Sequence, residues 1–268
     1  MPAIALLGAT GRMGRALVRA VSERPELRIC GALASAASRH FGEDIGTLAG
    51  QGALGVTVTS SISAALKGAD VAIDFALPDG VEERARAVVA SKCAWVLGTT
   101  GFSARQQEAV AGAAMLVPVL ASPNMSVAVQ LLMQLVEMAA RALPAGYDIE
   151  IFEAHHRDKI DAPSGTARRL GEMAAAARGT RLGDSGELNR ASMPGPRKAG
   201  SIGFAVARGG DIVGEHRVTF AGAGEQLVLE HRVSDRLAFA RGAVAAALWL
   251  AGRAAGRYEM RDVISAKQ

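Results

Sequence analysis

At 268 residues, half of them hydrophobic and 21% charged, the chain can bury a sizeable core as one large domain or two moderate ones. No apolar run approaches the ~20 residues that cross a bilayer, and the N-terminal segment lacks the basic flank and cleavage site of a signal peptide, so a cytoplasmic protein without a membrane partner is expected. The net charge of +4 is spread over singly placed Arg and Lys, aromatics are only 4%, and Cys30 and Cys93 show no ligand spacing; these features argue against a nucleic-acid partner, a disulfide framework and a metal site, and leave a mild attraction for small anions.

The first apolar run, 3–7, ends at Gly8-Ala9-Thr10-Gly11-Arg12-Met13-Gly14, after which Met13, Leu17 and Val21 recur at helical spacing. Strand, glycine turn and helix in this order form a nucleotide-binding signature: glycines admit the pyrophosphate close to the backbone, and the helix start offers N–H groups to it. Thr10 stands where a second glycine is usual. Residues 27–33 read as the second strand, at whose end NAD enzymes commonly place an acid for the ribose; here stand Ala34 and Ser35. NADPH is therefore expected at least to be tolerated beside NADH, with Arg12 and Arg39 as candidate partners of a 2′-phosphate or, alternatively, as solvated surface charges.

Alternation continues with strands at 56–59, 71–75, 94–97 and 116–120. Helices are expected from Ser61, over 80–91, and after the N-cap Ser103, the last carrying Val110 and Met115. Repeated units of this kind predict a Rossmann-like, doubly wound parallel sheet whose ligands collect at the carboxyl ends of its strands. Gly98-Thr99-Thr100 and Ser122-Pro123-Asn124-Met125 follow two such ends.

Beyond a long apolar helix, 126–143, the pattern changes. A strand at 148–152 leads into Glu153-Ala-His-His-Arg-Asp-Lys-Ile-Asp-Ala-Pro-Ser-Gly-Thr-Ala167. Taken alone this stretch is either a solvated loop with Ser164 as an N-cap or a site combining imidazoles, an ammonium and a helix start that could cradle an anion. A helix over 166–178 and a mobile Gly/Pro-rich loop at 178–198 come next. Strands at 202–207, 212–221 and 226–233, joined by Gly209-Gly210 and Gly222-Ala-Gly224, predict an antiparallel meander in a second, α+β domain with an open mixed or antiparallel sheet. The last helix, with Val244 and Leu248, fits a return to the first domain. The expected division is 1–126 with 236–268 for the dinucleotide, and 127–235 for substrate and oligomerisation.

The glycine loop, Gly98-Thr-Thr-Gly-Phe102, Pro123-Asn-Met-Ser126, the His-His stretch, Gly209-Gly-Asp-Ile-Val-Gly-Glu-His216 and Ala247-Leu-Trp-Leu250 together resemble the 4-hydroxy-tetrahydrodipicolinate (dihydrodipicolinate) reductase family of lysine and diaminopimelate biosynthesis, over nearly the whole chain. The resemblance implies NAD(P)H-dependent reduction of a small cyclic dicarboxylate and a homotetramer built by the open sheet. It implies that Gly8, Ala9, Thr10, Gly11, Arg12, Met13, Gly98, Thr99, Thr100, Ser122, Pro123, Asn124 and Met125 touch the cofactor. It further implies His155 and Lys159 as the catalytic pair, with His156, Gly165 and Thr166 holding carboxylates. Ala34 and Thr10 depart from the family pattern, and the first puts NADH preference in doubt.

Other readings fare worse. Extended short-chain dehydrogenases need a Tyr with Lys four residues on, but Tyr147 and Tyr258 are followed there by Ile151 and Asp262. Semialdehyde dehydrogenation needs a nucleophilic cysteine, and neither Cys30 nor Cys93 is set as one. A catalytically idle NADP-binding regulatory protein would explain the glycine loop but not His155, His156 and Lys159.

Overall fold

The protein is described from a computed structural model covering residues 1–192 and 194–265. Its chain divides into two compact units, Met1–Val127 with Arg236–Gln268, and Ala128–Asp235.

The first unit opens with β1 (Ala3–Leu7), α1 (Arg12–Ser22), β2 (Arg28–Leu33), α2 (Ile45–Leu48), β3 (Val58–Thr59) and α3 (Ile62–Ala65). It continues through β4 (Val71–Asp74), α4 (Val81–Ala90), β5 (Ala94–Leu97), α5 (Ala104–Ala114) and β6 (Pro118–Ala121). The second unit follows with α6 (Val127–Ala142), β7 (Asp148–His155), α7 (Gly165–Ala177), α8 (Leu182–Ser185), β8 (Gly186–Glu187), β9 (Ile202–Arg208), β10 (Gly214–Ala221) and β11 (Gln226–Val233). The chain then re-enters the first unit as α9 (Leu237–Leu250), β12 (Gly256–Tyr258) and α10 (Met260–Ser265).

In the first unit the strands run in the order β12-β6-β5-β4-β1-β2-β3, every pairing parallel. β1, β4 and β5 are buried along their whole length, as strands covered by helices on both faces must be, which is why they read as unbroken apolar runs. One core joins Ile4, Leu17, Val71 and Val244 under α1 and α9; the other joins Leu7, Val88, Trp95 and Val110 under α4 and α5. Chain order reverses between β1 and β4, so the loops leaving these strands diverge and open a crevice at the carboxyl edge. The expected helix position of Met115 is corrected: α5 ends at Ala114, and Met115 is its exposed C-cap. β12 and α10 were not anticipated, since three residues of strand carry too little periodicity to be read.

The second unit holds a mixed sheet, β11-β10-β7-β9-β8, with β7 parallel to β9 and antiparallel to β10. α6 and α7 cover one face, packing Val129, Val136, Leu170 and Ala174 on Ile149, Ile151, Val218 and Phe220. On the other face Arg217 lies 5.8 Å over the Phe152 ring and pairs with Glu230.

Two expectations fail here. β9 and β10 do not form a hairpin, because β7 lies between them. Gly209-Gly210 instead passes the end of β7, where Gly209 N–H donates to the His155 carbonyl and Arg157 N–H to that of Gly210. Two glycines permit a tight turn but do not say which strands flank it. Residues 178–198, expected as a mobile loop, contain α8 and β8, and Arg197 within them is bonded to Asp148 (2.6 Å) and Glu150 (2.8 Å). Met193 within that range lies outside the described residues.

Candidate active site

The carboxyl edge of the first sheet brings three predicted loops together. Gly8 leaves β1 at φ +80°, and an added Cβ would stand 2.8 Å from the Ala76 nitrogen, so both conformation and space demand glycine. Gly8 and Ala9 N–H both donate to the Leu33 carbonyl (3.0 and 2.9 Å), tying the loop to β2. On α1, a Cβ at Gly14 would meet the Ala9 carbonyl oxygen at 2.1 Å; this glycine lets the helix lie on its own loop. At Gly11 the nearest atom to such a Cβ is 3.4 Å away, and Thr10 beside it does not stand at a positive φ, so its backbone does not call for glycine.

Helix starts in this unit differ in what they offer an anion. α5 is closed by its own capping box, Ser103 with Gln106, and α4 carries Glu82 and Glu83 in its first turn. α1 has Gly11 as N-cap, no side-chain cap and no acid in the first turn, while Arg12 is exposed. Its donors and dipole therefore suit a phosphate.

At the end of β4 the fully buried Asp74 accepts from Ala76 N–H (2.9 Å), Arg84 Nε (2.7 Å) and Trp95 Nε1 (3.2 Å). Burial pushes its carboxyl up, against the pull of the Arg84 guanidinium. Arg84 also donates to the Leu77 and Asp79 carbonyls, fixing the loop after β4. Thr99 Oγ donates to the Ala76 carbonyl at 2.8 Å, and Gly98 packs its Cα edge on the Phe75 ring, so the Gly98-Thr99-Thr100 loop is tied to the loop after β4. Ser122 Oγ donates to the Asn124 carbonyl (2.8 Å) and Asn124 Oδ1 accepts from Ser126 N–H (2.9 Å), closing the Ser122-Pro123-Asn124-Met125 turn. Pro123 is exposed, whereas the Met125 side chain is spent in the core at 1% exposure, which leaves a ligand only its main chain. Ala34 follows β2 beside the carbonyl that anchors Gly8, is 5% exposed, and presents no charge there; Arg39 is exposed.

The second unit gathers the charged groups. β7 runs three residues further than the spacing suggested, so His155 is a strand residue rather than a loop residue. Its Nδ1 lies 2.6 Å from Glu153 Oε2, and its ring meets His216 edge to face with centroids 5.2 Å apart. Lys159 Nζ donates to Asp161 Oδ1 at 2.7 Å; His156 is half-buried, and Arg157 and Asp158 are exposed. Ser164 caps α7 through Ala167 N–H, its Oγ lies 3.1 Å from His216 Nε2, and its own N–H donates to Glu153 Oε1 at 2.9 Å. That last bond commits the Ser164 N–H inward. Gly165 is exposed and Thr166 partly so, in a first turn without acids.

Burial alone would raise the Glu153 carboxyl, but hydrogen bonds from His155, Arg208 and Ser164 N–H hold it at about 2. Burial, helped by the positive charge available at His155, pushes the His216 imidazole down to about 3, so it stays neutral. Burial also raises the Asp161 carboxyl, but the Lys159 ammonium outweighs this and leaves it below the usual range. Among the described residues no set of three His, Cys, Asp or Glu is arranged to hold a metal ion.

Sequence reasoning passed over Glu153, Arg208 and His216. A signal was present: Glu153 shares the parity of Ile149 and Ile151, and His216 that of Val218 and Phe220, so both are polar residues on the core face of a strand.

Comparison with known proteins identifies the family. Residues 2–125 match the family model "Dihydrodipicolinate reductase, N-terminus", and 128–264 match the corresponding C-terminus. A 4-hydroxy-tetrahydrodipicolinate reductase of Nitrosospira multiformis is 46% identical, covering 99% of this chain and 98% of the relative. One from Anaeromyxobacter dehalogenans is 48% identical, over 98% of each. The fold is similar to that of a dipicolinate-bound dihydrodipicolinate reductase from Paenisporosarcina sp. TG-14, with TM-score 0.75 at 23% identity over 97% of both chains. With both halves matched and full-length relatives near half identity, the chain belongs to the dihydrodipicolinate reductase family and is an oxidoreductase of that activity.

Proposed function

We propose that His155 and Lys159 form the catalytic pair in the reduction of 4-hydroxy-tetrahydrodipicolinate, with His156, Gly165 and Thr166 holding the carboxylates. The observation that carries this reading is the end of β7, where an imidazole oriented by a buried carboxylate stands on the same short segment as an ammonium and precedes a helix start without acids. Lys159 supplies positive charge and a proton donor; His155, oriented through Nδ1, keeps Nε2 for proton exchange. Carboxylates at the start of α7 gain from its dipole, ~0.3 to 1 kcal/mol each, and from charge-assisted bonds.

A nicotinamide dinucleotide, when bound, supplies the hydride. Gly8, Ala9, Thr10, Gly11, Arg12 and Met13 would hold its pyrophosphate, on the strength of the uncapped α1 start and the glycine demanded at Gly8. Gly98-Thr99-Thr100 and Ser122-Pro123-Asn124-Met125 would line the nicotinamide side. Ala34 leaves NADPH accepted alongside NADH, because neither a ribose-binding acid nor its repulsion of a 2′-phosphate is present. The open face of the second sheet, with Arg217, Phe152 and Glu230, would build a homotetramer, and a cytoplasmic location suits the biosynthetic role. No described helix is long and apolar enough to cross a membrane.

The test is spectrophotometric: NADH and NADPH oxidation with freshly generated substrate, for the native chain and for His155→Gln and Lys159→Ala. Loss of turnover with nucleotide affinity retained supports the assignment; native turnover in both variants removes it.

A further inference from the structure

Among the described residues of the second unit Glu153 is the one acid at 0% exposure, and both its oxygens are fully engaged. Oε2 accepts from His155 Nδ1 (2.6 Å) and Arg208 Nη1 (2.8 Å). Oε1 accepts from Ser164 N–H (2.9 Å) and Arg208 Nη2 (2.8 Å). A carboxylate has about four acceptor sites, so this one has none left with which to take a proton from a ligand. Whatever it does for the reaction passes through its neighbours. Those neighbours come from four parts of the fold: His155 from β7, Arg208 from β9, Ser164 from the start of α7, and, through Arg208, the segment between β7 and α7. Arg208 Nε donates to the Lys159 carbonyl (3.3 Å) and Nη2 to that of Asp161 (2.6 Å).

We propose that the Glu153–Arg208 pair is the positioning hub of the active site, Glu153 fixing His155 as the Nδ1–H tautomer with Nε2 turned outward, and Arg208 setting the segment that carries Lys159 in register with the start of α7. This rests on the reading of His155 and Lys159 given above. Which imidazole nitrogen carries the proton is decided by the bond at the other, and an ionised partner at Nδ1 decides it firmly. The carboxyl stays ionised far below neutrality because the bonds it accepts outweigh its burial. His216 completes the setting as a neutral ring against His155, itself held by Ser164 Oγ. The charged and titratable groups facing the dyad are thus Arg208 from β9, His216 from β10, with His231 of β11 opposite it in register, and Lys159 and Asp161 from the connecting segment.

Glu153→Gln preserves shape, but whichever way its amide turns, an NH2 meets donors. We expect kcat to fall at least ~10-fold with KM changed less than ~3-fold, NADPH affinity unchanged, and the ionisation limb of the kcat–pH profile displaced toward lower pH by at least ~0.5 unit, since the imidazolium loses its anion. In a His155→Gln background the same change should cost at least ~3-fold less than in the native chain, because only its route through Arg208 is left. Arg208→Lys keeps the cation but not the fork; it should repeat this pattern in kcat, and it carries the test if Glu153→Gln does not fold. An unchanged kcat and pH profile in Glu153→Gln, or an equal loss with and without His155, would overturn the hub. Native kcat in His155→Gln alone would instead overturn the catalytic assignment on which the hub depends.

Discussion

In the first unit the candidate site is made of main chain. Gly8, Gly11 and Gly14 shape a loop that leads into the uncapped start of α1, and the strand behind it is apolar throughout. In the second unit it is made of side chains: Glu153 is bonded by His155 and Arg208, the Lys159 ammonium by Asp161, and the His216 ring by Ser164, across three strands and a helix start. A backbone site is specified by what must be absent, namely Cβ atoms and acids, and tolerates change where the backbone does not need a glycine, as at Thr10. A side-chain network is specified by which charges are present and tolerates little, because each buried polar group depends on its partners.

Changes in the two units should therefore fail differently. The largest expected effect is in the second: Lys159→Ala should lower turnover by about 100-fold while leaving NADPH affinity unchanged, read by steady-state kinetics and fluorescence titration. A parallel loss of nucleotide affinity would erase the distinction between the two halves.

Next comes acid lability of the same network. The folded chain refuses a proton at His216 until about pH 3, whereas the unfolded chain accepts one near 6.5. Stability should then fall as pH drops from 6.5 toward 3, by about 1.4 kcal/mol per unit and hence about 2 kcal/mol at pH 5. His216→Gln should flatten that slope in denaturant titrations. Glu153 adds its own loss only below the ordinary carboxylate range, toward about 2; between pH 6.5 and 5 the half-buried His231, which burial also lowers, acts in the same direction, so the part of the slope that His216→Gln removes is that of His216.

In the first unit, Ala34→Asp should shift the ratio of kcat/KM for NADPH over NADH downward by about 10-fold, through repulsion of the 2′-phosphate, with activity toward NADH retained. An unmoved ratio would mean the ribose lies elsewhere. Smallest is Ser103→Ala, which opens the capping box of α5 and should cost about 1 kcal/mol of stability without changing either cofactor's KM. A KM effect there would show that α5, and not only α1, bears on the nucleotide.

Several features could be read directly from the chain: the parallel α/β architecture, the glycine loop after β1, the caps Ser103 and Ser164, and the His155 to Thr166 segment. All depend on local rules, either period-two and helical spacing or residues adjacent in sequence, and such rules need no knowledge of partners. Strand neighbours in the second unit could not be read that way. The spacing of residues 202–221 is that of a hairpin, yet β9 pairs with β7, and only the sheet order puts Arg208 beside Glu153. The bonds that make this side chain a hub span 55 residues to Arg208 and 11 to Ser164, and the ring beside it belongs to His216. The sequence by itself determined which chemistry is available and where the backbone can bend, because those properties belong to single residues and their near neighbours. The tertiary structure decided which charges are buried together, because burial and pairing are properties of surfaces brought into contact only by the fold.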